Sequence, residues 1–182
     1  MQTIQVVDYD PLWPERFAQL RDMLLSAVAD FAIAIEHVGS TAVPGLAAKP
    51  VLDIDIVVRE EDIATGVQRV VALGYESLGE LDIPLREAFR APSNLARHNL
   101  YVTAEGCESH RNHLAVRDYL RAHFDAAREY GALKKRLART ADGDIDRYIA
   151  GKSGFIANIL SRSGFSEQEV EGIRMRNVAS ST

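Results

Sequence analysis

The sequence predicts an α+β fold, a mixed β-sheet flanked by helices and followed by a C-terminal helical region. Three observations predict it. Within residues 51–58, Leu52, Ile54 and Ile56 alternate with Asp53 and Asp55, the period of two that marks a strand. Residues 75–78, 85–91 and 97–103 then read as strands joined by short loops, which antiparallel neighbours allow and parallel ones do not, so the sheet is mixed. From Glu108 onward only helical spacing appears.

Taken in order, residues 4–7 read as an edge strand. Pro11 and Pro14 then start a helix in which Phe17, Leu20, Met23, Leu24 and Val28 recur at helical spacing, with Trp13 and Phe17 as its packing anchors. The apolar run 31–38 ends at Gly39-Ser40-Thr41, ahead of a segment expected to open a helix. After the Asp-bearing strand, residues 60–73 are helical and Gly74 closes them. The helices of the second half are expected at 111–123, 125–139, 144–161 and 166–176. This reading divides the chain into an α/β core over residues 1–106, a helical region over 107–176 packed on it, and a frayed tail over 177–182.

Composition bounds the function. With 182 residues, 47% hydrophobic and 26% charged, the chain reads as an ordinary globular protein with a sizeable core. A net charge of -5 without long charged blocks argues against a bulk nucleic-acid partner. The single Cys107 has no second Cys for a disulfide or a zinc site. No apolar run approaches the roughly 18 residues of a membrane span, and the start Met1-Gln-Thr-Ile-Gln lacks the charge of a leader, so the expected location is the cytoplasm.

The chemistry concentrates between Glu36 and Val58. Side chains alternate across a strand, so Asp53 and Asp55 share a face with Cα atoms roughly 6.5 to 7 Å apart. Two carboxylates so placed can converge on Mg²⁺, a hard cation that takes oxygen ligands and is usually completed by substrate phosphates. The same pattern also describes the wet face of a half-exposed strand, but Asp is depleted in strands and two like charges on one face repel. Ahead of them, Gly39, Ser40 and Thr41 form a turn whose backbone N–H groups and hydroxyls suit an anion, with glycine admitting a phosphate closely. Lys49 stands just before the strand, within reach of Asp53 or a phosphate. In the helical half, His113, Arg117 and Arg121 recur every fourth residue on one face, which suits phosphates or a solvated basic stripe alike. Tyr148 and Lys152 are likewise spaced by four, with Lys134 on a neighbouring helix, expected at the surface as readily as at a site. His37 reads as a core or supporting histidine.

A Gly-Ser turn followed by an Asp-x-Asp strand is similar to the core signature of the nucleotidyltransferase superfamily. More closely, Glu36-His-Val-Gly-Ser-Thr-Ala-Val-Pro-Gly-Leu-Ala-Ala-Lys-Pro resembles the hallmark of the GrpB family, whose members also resemble a domain fused to some dephospho-CoA kinases. Tyr9-Asp-Pro-Leu-Trp-Pro with Phe17, His98-Asn-Leu-Tyr-Val, Arg117-Asp-Tyr-Leu-Arg, and Tyr148 with Lys152 and Phe155 extend the likeness over residues 7–162. The resemblance implies a nucleotidyltransferase-like sheet, with Asp53 and Asp55 as catalytic ligands of Mg²⁺ or another divalent cation. It implies Gly39 and Ser40 as the phosphate-contacting turn. It also implies a third carboxylate from a later strand, where residues 97–103 offer His98, Asn99 and Tyr101 instead.

The expected function is therefore a metal-dependent transfer of a nucleoside phosphate from a nucleoside triphosphate to a small-molecule acceptor. Asp53 and Asp55 serve catalysis and metal binding in this reading, while Gly39, Ser40, Thr41, Lys49, His98, Arg117 and Lys152 meet substrate and phosphates. The alternatives are a nucleotide- or coenzyme-binding module without turnover and a structural or assembly domain.

Overall fold

The structure, a computed structural model, describes residues 4–179, with side chains through Arg176. The elements run α1 (Trp13–Val28), β1 (Ala34–Val38), β2 (Leu52–Val58), α2 (Ile63–Ala72), β3 (Glu76–Gly79), β4 (Arg86–Arg90), β5 (His98–Ala104), α3 (Glu108–Ala122), α4 (Phe124–Thr140), α5 (Ile145–Arg162) and α6 (Glu167–Ala179). They fold into two compact units. One comprises Asp10–Ala42 and Val51–Leu114; the other takes the segment up to Tyr9, Val43–Pro50 and the chain from Ala115 on. The boundary expected at residue 106 is not where the units part, because α3 contributes to both and Val43–Pro50 joins the helices.

The first unit is built on a five-stranded sheet in the order β1-β2-β5-β4-β3. Only β2 and β5 run parallel; the other neighbours are antiparallel. The mixed sheet expected from the short loops is thus present, and α2, β3 and β4 form the crossover that a parallel β2–β5 pair requires. Cross-strand partners share a face. One face carries Leu52, Ile54, Ile56, Leu100 and Val102, all buried, and receives α1 and α2. Gly66 of α2 packs there so tightly that a Cβ would lie 2.9 Å from Val102. Phe17 of α1 stacks on His37 of β1 with ring centroids 4.7 Å apart. Trp13 is buried, as its reading as an anchor required. The opposite face carries Asp53 and Asp55.

Several local expectations are corrected. Residues 4–7 make no strand, only an isolated antiparallel bridge from Val7 to Ala48. After Gly39 the chain makes one 3-10 turn, Ser40–Ala42, rather than opening an α-helix. Residues 60–73 split into a 3-10 turn, Glu60–Asp62, and α2, closed by Gly74 at φ +92°. The backbone of the supposed frayed tail stays helical through Ala179; residues 180–182 lie outside the described residues.

The second unit is helical. Val43 and Leu46 join Leu120, Ala127, Tyr130 and Ile159 in its core, with Phe155 stacked on Tyr130 at 4.8 Å. The starts of α5 and α6 are chemically marked. Asp144 accepts from the backbone N–H groups of Asp146 and Arg147, and Ser166 and Glu169 bond reciprocally as a capping box. Among the described residues no helix is long and apolar enough to cross a membrane.

Candidate functional site

The site is assembled on the polar face of β2. Register places Asp53 beside Asn99 and Val38, and Asp55 beside Tyr101 and Glu36. Strands therefore flank β2 on both sides, and Asp55 is fully buried while Asp53 remains partly exposed. Each carboxylate meets a side-chain donor. Asn99 Nδ2 donates to Asp53 Oδ1 at 2.7 Å, and His113 Nδ1 donates to Asp55 Oδ2 at 2.8 Å. The second oxygen of Asp55, Oδ1, is buried with no hydrogen-bond partner among the described residues.

His113 arrives from the first half of α3. Its ring lies 5.8 Å from that of Tyr101, and the guanidinium of Arg86 sits 4.8 Å above the Tyr101 ring. Burial pulls the imidazole toward its neutral form, but the charge of Asp55, the hydrogen bond to it and the charge of Asp53 outweigh burial and the opposing Arg86, so its pKa is raised. Tyr101 is pushed well above the ordinary phenol range, first by burial and then by the two aspartates, against Arg86.

The turn ahead of β2 is shaped by its glycine. Gly39 has φ +69°, and a Cβ there would lie 2.2 Å from Asp53 Oδ2. The Asp53 carboxylate thus rests directly against the Gly39 Cα, joining the turn and the carboxylate pair in one feature. Thr41, expected as a phosphate contact, is buried, and its Oγ1 pairs with His37 Nε2 at 2.9 Å. His98, expected to meet substrate, lies apart from the carboxylate pair. It pairs in register with Leu52, hence on the face opposite the aspartates, and both ring nitrogens are used inside the unit. Nδ1 donates to the Ala96 carbonyl at 2.6 Å, so Nε2 accepts from the Tyr75 hydroxyl at 2.8 Å.

Lys49, Arg117 and Lys152 belong to the second unit. There Arg117 pairs with Asp118 at 2.7 Å, and Lys152 Nζ lies 4.6 Å above the Tyr148 ring. Lys134, expected as readily at the surface, is buried with its Nζ 4.5 Å above Tyr130.

Asn99, Tyr101 and His113 therefore accompany the expected Gly39, Asp53 and Asp55. His113 stood out in sequence only as one member of a basic stripe. Nothing local marks its pairing with an aspartate 58 positions away. Where a third carboxylate was expected on a later strand, β5 places Asn99 and Tyr101, and the acid paired in register with Asp55 is Glu36 of the earlier β1. Among the described residues no three His, Cys, Asp or Glu side chains are gathered closely enough to hold a metal ion. The donors nevertheless fit a hard cation that brings waters and phosphates of its own: two carboxylates on one face, one of them with an unsatisfied buried oxygen.

Comparison with known proteins agrees with this architecture. A family model described as GrpB protein matches residues 3–162. The chain is 36% identical over 154 residues to the UPF0157 protein YqkA of Bacillus subtilis, covering 84% of this chain but only 45% of YqkA. It is 29% identical over 189 residues to a dephospho-CoA kinase of Mycolicibacterium paratuberculosis, covering 88% of this chain and 46% of that protein. Among solved structures, conserved protein GrpB from Enterococcus faecalis matches with a TM-score of 0.78 at 32% identity, over 87% of this chain and 96% of that one. The Cid1 poly(U) polymerase in its MgGTP-bound form matches with a TM-score of 0.53 at 16% identity, over 73% and 44% of the two chains, a likeness of fold alone. The sheet order, the carboxylate strand and the extent of these matches converge on one conclusion: the chain belongs to the GrpB family and has a nucleotidyltransferase-like fold.

Proposed function

We propose that the protein is a divalent-metal-dependent nucleotidyltransferase that moves a nucleoside phosphate from a nucleoside triphosphate to a small-molecule hydroxyl or similar acceptor. The observation that carries this reading is the carboxylate pair of β2, set against the Gly39 turn with the buried Asp55 Oδ1 left unsatisfied. The fold shared with a polymerase whose structure contains MgGTP supports it. Asp53 and Asp55 would hold the cation, which when bound neutralises charge on the phosphates. The turn at Gly39 and Ser40 would present backbone donors to the triphosphate, and the packed sheet would keep water from the buried carboxylate. In the transfer, the acceptor oxygen bonds to the α-phosphorus, the bond to the bridging oxygen breaks, pyrophosphate leaves and the acceptor proton passes to solvent. Such a reaction rests mainly on positioning and charge neutralisation, which few residues can supply.

A second reading, nucleotide or coenzyme binding without turnover, is favoured by Asn99 and Tyr101 standing where β5 would supply a third acid, and by the likeness to a dephospho-CoA kinase. One experiment separates the two readings. The melting temperature is measured with ATP, CTP, GTP, UTP and coenzyme A, each with and without Mg²⁺, in the parent and in Asp53→Asn, followed by assay of pyrophosphate release with any ligand that binds. A shift that needs metal and nucleotide together and vanishes in Asp53→Asn supports the site, and pyrophosphate release supports transfer. Binding without release favours the second reading; binding unchanged in Asp53→Asn sinks the site assignment.

A further inference from the structure

We propose that His113 is the positioning residue of the carboxylate pair, holding Asp55 by Oδ2 so that Oδ1 is the oxygen given to the cation; this rests on the metal-binding reading above. Asp55 lies on an interior strand of the sheet, with β1 and β5 on either side, so its backbone has little room to adjust. The carboxylate torsion itself is soft, with a broad two-fold preference, and something must choose its angle. Among the described residues His113 is the one hydrogen-bond partner of this side chain, and it engages only Oδ2.

The imidazole is in turn held firmly. α3 is launched from β5 through a tight turn in which Gly106 has φ +72° and donates its N–H to His110 Nδ1 at 3.0 Å, while the Arg111 N–H bonds to the Cys107 carbonyl. On the sheet side the ring rests against Tyr101, itself covered by Arg86. Helix start and sheet thus converge on one ring orientation. Partners that orient a metal-binding carboxylate in this way typically change metal affinity by about 10- to 100-fold when removed. A purely structural ion pair would instead alter stability and leave the affinity of the folded protein unchanged.

The test is Mn²⁺ binding by the full chain, read from the electron-paramagnetic-resonance signal of free Mn²⁺, in the parent, Asp53→Asn, His113→Leu and His113→Asn. Circular dichroism reports folding. Asparagine can place an N–H donor close to that of Nδ1, whereas leucine removes it. We expect His113→Leu to weaken binding by about 10- to 100-fold and His113→Asn to restore most of it. If His113→Leu does not fold, His113→Ser, which lacks the donor at that position yet admits water to Asp55, carries the same expectation. Folded His113→Leu or His113→Ser binding Mn²⁺ as tightly as the parent, while Asp53→Asn does not, overturns the positioning role and leaves the metal reading standing. A parent that binds no Mn²⁺ overturns both.

Discussion

Three residues show how single positions serve the site or the fold beside it. Gly39 combines a left-handed backbone with a carboxylate packed on its Cα. Gly39→Ala is expected to cost about 1 to 3 kcal/mol in urea unfolding, from the left-handed penalty and from displacing Asp53, and to weaken Mn²⁺ binding as well. His98 has its pKa lowered by burial, against its bond to the Ala96 carbonyl, and its partner Tyr75 is pushed up to about 12 by burial. The neutral form therefore belongs to the fold. His98 contributes stability in full above the unfolded pKa of about 6.5, and loses it as pH falls through the lower folded value. His113 acts with the opposite sign, its contribution complete below about pH 6.5 and lost as pH rises through its raised pKa. Unfolding free energies of the parent and His98→Gln, compared from pH 8 down to 5, are expected to differ by a slope confined to the acid side. Parallel curves would mean that His98 carries no such linkage.

At the scale of elements, α5 offers a contrast between two glycines three residues apart. A Cβ on Gly151 would lie 2.5 Å from Leu137 Cδ2 of α4, whereas one on Gly154 meets nothing within 4 Å. Gly151 thus lets the two helices pack closely, and Gly154 does not serve packing. Gly154→Ala is expected to stabilise by about 0.5 to 1 kcal/mol through helix propensity. Gly151→Ala gains the same propensity but overpacks the Leu137 contact, for a net loss of about 1 to 2 kcal/mol. Chemical denaturation of both variants checks the pair, and equal effects would contradict the close approach.

Over the whole molecule, the chain leaves the sheet unit after Ala42, spends Val43–Pro50 in the helical unit and returns at Val51. A fragment ending at Gly106 therefore retains Val43 and Leu46 but loses Leu120, Ala127, Tyr130 and Ile159, the residues they pack with. Such a fragment is expected to expose this apolar segment and to aggregate or melt without cooperativity, checked by light scattering and thermal circular dichroism. A cooperative, monodisperse fragment would show that the sheet unit stands without the helical one.

Much of this protein was legible before any coordinates. Local pattern located β2 to β5 and the six helices to within a few residues, because alternation at Leu52–Val58 and four-residue spacing in the second half are local properties of the chain, whereas β1 read only as an apolar run and the strand expected at 4–7 and the helix expected after Gly39 did not form. The carboxylate pair was legible for the same reason: two aspartates separated by one residue on a strand must share a face. Tertiary structure decided which partners those carboxylates meet. That His113 meets Asp55, that His98 turns to the opposite face toward Tyr75, and that Thr41 closes on His37 all depend on register and packing. Local pattern determines which way a side chain points, but only the folded sheet and the helices laid on it determine what waits there.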